Sequence, residues 1–127
     1  MPDVLTLYRP TGLKEYQLIE EHGVFPPRLD HQPIFYPVLN EDYAVEIANK
    51  WNTKDKVSGY VGIVTRFDVD AGYAGRFNRE VVGNSTHEEL WVPARELDEF
   101  NAHIIGEIEV AQVFYGSEYA GPVIRCD

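Results

Sequence analysis

The spacing of apolar residues changes several times along the chain, and each change predicts a new element. Val4, Leu5, Leu7 and Tyr8 read as a short buried strand, which Pro10 is expected to end because it has no N–H to give a ladder. A helix follows, with Thr11 as its cap, an apolar side of Leu13, Tyr16, Leu18 and Ile19, and Gly23 as its stop. Residues 24–33 hold three prolines with Arg28, Asp30 and His31 among them, which predicts a loop. Residues 33–38 then read as a short strand whose two prolines put it at a sheet edge or rim. Asn40 opens the clearest helix. Ala44, Ile47, Ala48 and Trp51 recur at i, i+3, i+4 and i+7, and Glu41 and Asp42 occupy the first turn.

From residue 57 to 69 the odd positions read Val57, Gly59, Val61, Ile63, Thr65, Phe67 and Val69, the period of one long strand with a buried face. Gly59 and Gly62 predict a bend or a close approach by another backbone. A helical turn at Tyr73 and Ala74, a strand over 77–82 and a turn at Gly83-Asn84-Ser85 come next. Residues 88–92 form a further strand, Pro93 starts a short helix carrying Leu97 and Phe100, and 104–115 is the last strand. That strand is apolar on both faces in places, which predicts a central position. The order lacks the regular alternation of a doubly wound sheet, so the expectation is one α+β domain, residues 1–127, with mostly antiparallel sheet.

Composition adds constraints. Apolar residues make up 44% of the sequence and aromatics 13%, enough to form a core and to argue against disorder. Twenty-one acidic residues against 11 basic ones give a formal charge of −10, which disfavours general nucleic-acid binding and anionic membrane surfaces. A few positioned Arg side chains can still hold a dinucleotide in an acidic protein. Cys126 is the only cysteine, so no disulfide forms within the chain. Neither an apolar signal core nor a run near the ~20 apolar residues of a membrane span is present, and the expected location is the cytoplasm. Asn84-Ser85-Thr86 has the form of a glycosylation acceptor but is read as a turn.

Candidate chemistry is sparse: the sequence holds no phosphate loop, no dinucleotide glycine fingerprint, no paired-histidine zinc motif and no nucleophile elbow. His87 beside Glu88 and Glu89 does not predict a metal site, because strand neighbours point to opposite faces and no second His stands at metal spacing. Arg9 ends an apolar strand just before a helix start, where a guanidinium can grip phosphate or ribose; the bland alternative is a rim Arg paired with a carboxylate. Tyr36, next to Phe35, is placed to stack on a planar ring or to be half core and half surface. His87, Glu89 and Trp91 share one face of their strand. A carboxylate there is either a catalytic group set against an apolar wall or part of an exposed face.

At these three segments the chain resembles the ADP-ribosyltransferase fold. Leu7-Tyr8-Arg9-Pro10-Thr11-Gly12, with the helix and Gly23 after it, resembles that family's first strand, whose His or Arg binds the NAD ribose. Ile34-Phe35-Tyr36, then Tyr43-Ala44, resembles the second block, an aromatic strand and the helix behind it. Residues 88–94, a short helix and then residues 104–110 resemble the third, whose Glu holds the ribose hydroxyl. The whole chain is also similar to a family of small bacterial proteins labelled "ADP-ribosylation/crystallin J1".

The resemblance implies a split, mostly antiparallel sheet with short flanking helices, NAD as a substrate and an unknown acceptor for ADP-ribose. It implies that Arg9 and Thr11 bind NAD, that Tyr36 or Tyr43 stacks on the nicotinamide, that Glu89 stabilises the oxocarbenium-like ribose, and that His87 occupies a position which in some transferases selects the acceptor. The expected catalytic residues are therefore Glu89 and Tyr36. The sequence departs from the family in joining an Arg first block to an aromatic second block without a Ser-Thr-Ser element. Two other readings stand beside the transferase: a nucleotide- or peptide-binding module on the same fold that does not turn over, and an acidic partner protein that binds a basic one.

Overall fold

A computed structural model describes residues 3–28, 32–83 and 86–126, and it shows a mixed α+β fold with two small antiparallel sheets and flanking helices. Six strands form them: β1 (Val4–Thr11), β2 (Ile34–Phe35), β3 (Val61–Asp70), β4 (Asn78–Val81), β5 (Glu88–Pro93) and β6 (Ile104–Tyr115). Strand order is β1-β3-β6 in one sheet and β2-β5-β4 in the other. The helices are α1 (Leu13–His22), α2 (Glu41–Lys50), α3 (Ala71–Ala74) and α4 (Leu97–Ala102).

One residue joins the sheets. Val38 exchanges both backbone hydrogen bonds with Tyr8 of β1, at 2.9 and 2.8 Å, and bridges on its other side to Glu89 of β5. Pro37 and Leu39 complete that side through Leu90 N–H and Glu88 C=O.

The helices form where their termini are satisfied. Asn40 caps α2 by accepting from the N–H groups of Asp42 and Tyr43, as its sequence position predicts. Gly23 ends α1 with φ of 74°, a left-handed conformation that suits glycine. α1 and α2 cover opposite faces of β1 and β3. On the α1 side Leu7, Ile19, Phe25, Phe35, Phe67 and Phe100 join the largest core cluster. On the α2 side Val38, Tyr43, Ala44, Ala48 and Val64 form a second.

Several sequence expectations need correction. β1 does not stop before Pro10 but runs to Thr11, and Gly12, not Thr11, stands at the N-cap of α1. Thr11 is buried and turns its hydroxyl to Ile63 C=O, 3.5 Å away. β3 starts at Val61, not at residue 57: Gly59 and Tyr60 both have positive φ, Asp55 accepts from Val57 N–H and Ser58 Oγ, and Val57 is left exposed. Trp51 leaves the apolar face of α2 because the helix ends at Lys50 and a 3-10 turn (Asn52–Lys54) follows. β6 is an edge strand; β3 is the central one, and the apolar residues of β6 are mostly half-covered, with Val110 alone among them buried. The turn expected at Asn84 and Ser85 lies outside the described residues, as do Asp30 and His31.

Gly62 meets its expectation of a close approach. A Cβ there would stand 2.4 Å from the Ala48 carbonyl oxygen, so α2 can lie flat on β3 only over a glycine. Gly62→Ala is expected to lower stability by about 1–3 kcal/mol by forcing that helix off the strand. Urea unfolding should show a lower midpoint with an unchanged slope; an unchanged midpoint would mean that the helix shifts at no cost.

Candidate functional site: a cleft where the sheets part

Pro10 marks the place where the two sheets separate. N–H and C=O groups of successive strand residues point to alternate sides, and those of Tyr8 point away from β3, to Val38. Position 10 faces the same way, so the N–H that proline lacks belongs to no bond with β3 and to no neighbour, since among the described residues the joining segment bridges β1 at Val38 alone. Past that residue the edge of β1 is open, and a cleft of about 450 Å³ lies along it. It is lined by Arg9, Pro10 and Thr11 of β1, by Lys14, Glu15 and Leu18 of α1, by Ile47 of α2 with Trp51 and Asn52 after it, and by Arg28 and Tyr36. The size is that of a small-molecule site.

Arg9 is buried and bound by Glu15 through two parallel contacts, Nε to Oε2 at 2.7 Å and Nη2 to Oε1 at 2.9 Å. Burial alone would push its pKa down; the field and hydrogen bonds of Glu15 more than reverse this, so the pKa stands above the ordinary arginine value. Its Cζ lies 5.0 Å from the centroid of the Phe35 ring. Arg28 is over the same ring at 5.9 Å, and its Nε is buried without a hydrogen-bond partner. Burial first, and the charge of Arg9 second, hold the Arg28 pKa below its usual value. The charged residues described at the cleft are thus Arg9, Lys14 and Arg28 against Glu15, an excess of positive charge in a protein of charge −10.

Glu89 belongs to a neighbouring cluster on the other face. It stands in line with Val38 and Tyr8, so its side chain points toward α2, whereas Arg9 points toward α1. Glu89 is 8% exposed, and its carboxylate takes two donors, Tyr43 Oη at 2.6 Å and Trp91 Nε1 at 3.0 Å. The imidazole of His87 stacks on the Tyr43 ring, centroids 4.2 Å apart, with Nε2 2.9 Å from Glu46 and Nδ1 3.1 Å from Val82 C=O. The hydrogen bond from His87 is the main cause that lowers the Glu46 pKa. Burial, then the hydrogen bond and charge of Glu89, raise the Tyr43 pKa well above that of a free phenol.

The sequence-derived residues therefore fall into two groups. Arg9, Thr11 and Tyr36 meet at the cleft, while Tyr43, His87 and Glu89 form the adjacent cluster; no ion pair among the described residues links Arg9 to Glu89. Glu89 does share a face with Trp91, as the alternation of β5 predicts. Arg28, Trp51, Asn52 and Ser58 were not singled out by sequence. Only Arg28, an isolated cation following two prolines, carried a local signal.

The chain matches no protein-family model, no curated protein and no solved structure. Among the described residues no group of three or more His, Cys, Asp or Glu side chains is placed to hold a metal ion, and no helix is long and apolar enough to cross a membrane.

Proposed function

We propose that the cleft where the sheets part binds NAD or another ligand built on ADP-ribose. The observation that carries this reading is the pair of guanidinium groups on Phe35, one neutralised by Glu15 and one with a buried Nε lacking any partner. An unpaired buried donor is costly, and a pyrophosphate oxygen is a partner of the right charge. The split antiparallel sheet fits what the resemblance to ADP-ribosyltransferases implies, and its three blocks, around Arg9, Tyr36 and Glu89, lie side by side across the Tyr8, Val38 and Glu89 line.

Thermal denaturation with NAD and with ADP-ribose tests the reading. Ligand at a hundred times Kd adds about 2.7 kcal/mol to the native state, enough to raise Tm by several degrees. The rise is expected in the wild type and should be lost in Arg28→Ala and in Arg9→Ala. Absence of any shift near millimolar ligand in the wild type would overturn the reading.

A second reading adds turnover to binding, and Val38 favours it: this residue lines the cleft and bridges to Glu89, so a ligand that extends past Val38 meets the Glu89 face. An ionised carboxylate accepts at about four positions, and Tyr43 and Trp91 use two of them. The remainder can take a ribose hydroxyl and hold negative charge near a ribose cation as nicotinamide leaves. In that case Glu89→Gln abolishes nicotinamide release and retains ADP-ribose binding. A binding module would show no release in either protein.

A further inference from the structure

The end of the cleft nearest α2 holds a second polar atom without a partner. Asn52 is 8% exposed and lines the cleft. Its Nδ2 donates to Ser58 Oγ at 2.9 Å, and Ser58 Oγ donates to Asp55 Oδ2 at 2.7 Å. An ionised carboxylate only accepts, so the Ser58 hydroxyl spends its proton on Asp55 and can only accept from Asn52. This relay fixes which way the amide lies. The NH2 group faces Ser58, and Oδ1 is left buried with no hydrogen-bond partner. Beside it Trp51, at the end of α2, is 67% exposed, and Val57, which also lines the cleft, is 89% exposed.

We propose that this end of the cleft is a subsite for a planar heteroaromatic ring bearing a neutral NH2 group, with the indole of Trp51 stacked on the ring and Asn52 Oδ1 accepting from the amine. The proposal rests on the reading that the cleft binds a nucleotide. An orphaned acceptor calls for a donor, and the nucleotide reading of the cleft points to the neutral N–H groups that a base or a nicotinamide carries. Aromatic amines and carboxamides supply them: each presents two N–H groups and stays neutral near pH 7. A carbonyl or carboxylate at that place would set oxygen against oxygen. Contact with Oδ1 requires a small adjustment of the side chains around it, as is common when partners meet. The shared chemistry has two sources in a dinucleotide such as NAD, the adenine amine and the nicotinamide carboxamide.

Calorimetric titration of the full chain separates them. ADP-ribose carries the adenine amine alone, nicotinamide mononucleotide the carboxamide alone, and pyrophosphate no ring. One of the two ring-bearing ligands is expected to bind at least about tenfold more tightly than pyrophosphate, the size of one base–aromatic stack. Trp51→Ala, a change at an exposed position, should remove that advantage. Replacing the amine of the preferred ligand by oxygen, in the hypoxanthine counterpart of ADP-ribose or in nicotinic acid mononucleotide, should cost about a further tenfold, and it probes Asn52 without changing the protein. Pyrophosphate binding with no gain from either ring, or a gain insensitive to both Trp51 and the amine, would overturn the subsite and spare the cleft. Failure of all three ligands to bind would overturn the cleft reading and the subsite together.

Discussion

Phe35→Ala is expected to cost about 3–5 kcal/mol of stability, the range for removing a fully buried aromatic side chain, and to abolish the ligand response of the cleft. Phe35 is 1% exposed, with its ring 5.0 Å from that of Phe25 and 5.6 Å from that of Phe100. It also pairs with Val92 in the short β2-β5 ladder, so it belongs to a two-residue strand that has little else to hold it. The same ring carries the Arg9 and Arg28 guanidinium groups. Truncation thus opens a cavity in the largest core cluster and withdraws the support of two cations at once. Phe35→Leu separates these effects: most of the buried volume stays, but the negative face of the ring is gone. Urea unfolding of Phe35→Leu should fall between wild type and alanine, while its thermal response to ADP-ribose should match that of the alanine variant. A wild-type ligand response in Phe35→Leu would show that the arginines are positioned by Glu15 and the backbone alone.

That prediction could not have been written from the sequence, although each residue in it was visible there. Local signals were readable where one residue type does one job. Asn40 with Glu41 and Asp42 announced the start of α2, Gly23 its counterpart's end, and the alternation through Glu89, Leu90, Trp91 and Val92 gave the two faces of β5. Where a residue's part depended on a distant partner, the pattern misled. Pro10 reads as a strand end, yet it is harmless inside β1 because its missing donor faces the gap between the sheets. Trp51 keeps the helical period and is expelled from it by the 3-10 turn that follows. The apolar faces of β6 suggested burial on both sides, but in its sheet β3, not β6, has a neighbour at each edge. The candidate site was legible residue by residue and not in its grouping. Arg9 and Glu89 were expected to converge; the ladder geometry sends them to opposite faces, and Arg28, reached only through the fold, shares the ring of Phe35 with Arg9.

Removal of the Glu89 carboxylate is expected to have the second largest effect, and its size changes with the replacement chosen. In Glu89→Ala the Tyr43 hydroxyl is left in a buried setting with nothing to donate to, while the half-exposed Trp91 can turn to water. Hydrogen bonds to a charged group are worth about 1.5–3 kcal/mol, so a loss of that order should appear in urea unfolding near neutral pH. In Glu89→Gln both contacts can persist: the side-chain oxygen accepts from Trp91, and the side-chain NH2 donates to Tyr43 Oη, which reverses its role. The glutamine variant should therefore lose less stability than the alanine variant, which makes it the better control for any loss of nicotinamide release. The alkaline limb provides an independent check. The Tyr43 pKa is raised in the folded protein, by burial first and by Glu89 next, so above the ordinary phenol pKa the native state holds a proton that the unfolded chain has lost. Stability from this group is complete below about pH 10, the unfolded phenol value, and is lost as pH rises toward the folded value. Tyr43→Phe removes the titrating group, and its unfolding free energy should fall less steeply above pH 10 than that of the wild type. Glu89→Gln should fall at an intermediate rate, because burial remains and the carboxylate does not. Equal alkaline slopes in all three proteins would mean that Tyr43 is not the residue whose proton the fold retains, and that the contact with Glu89 is dispensable.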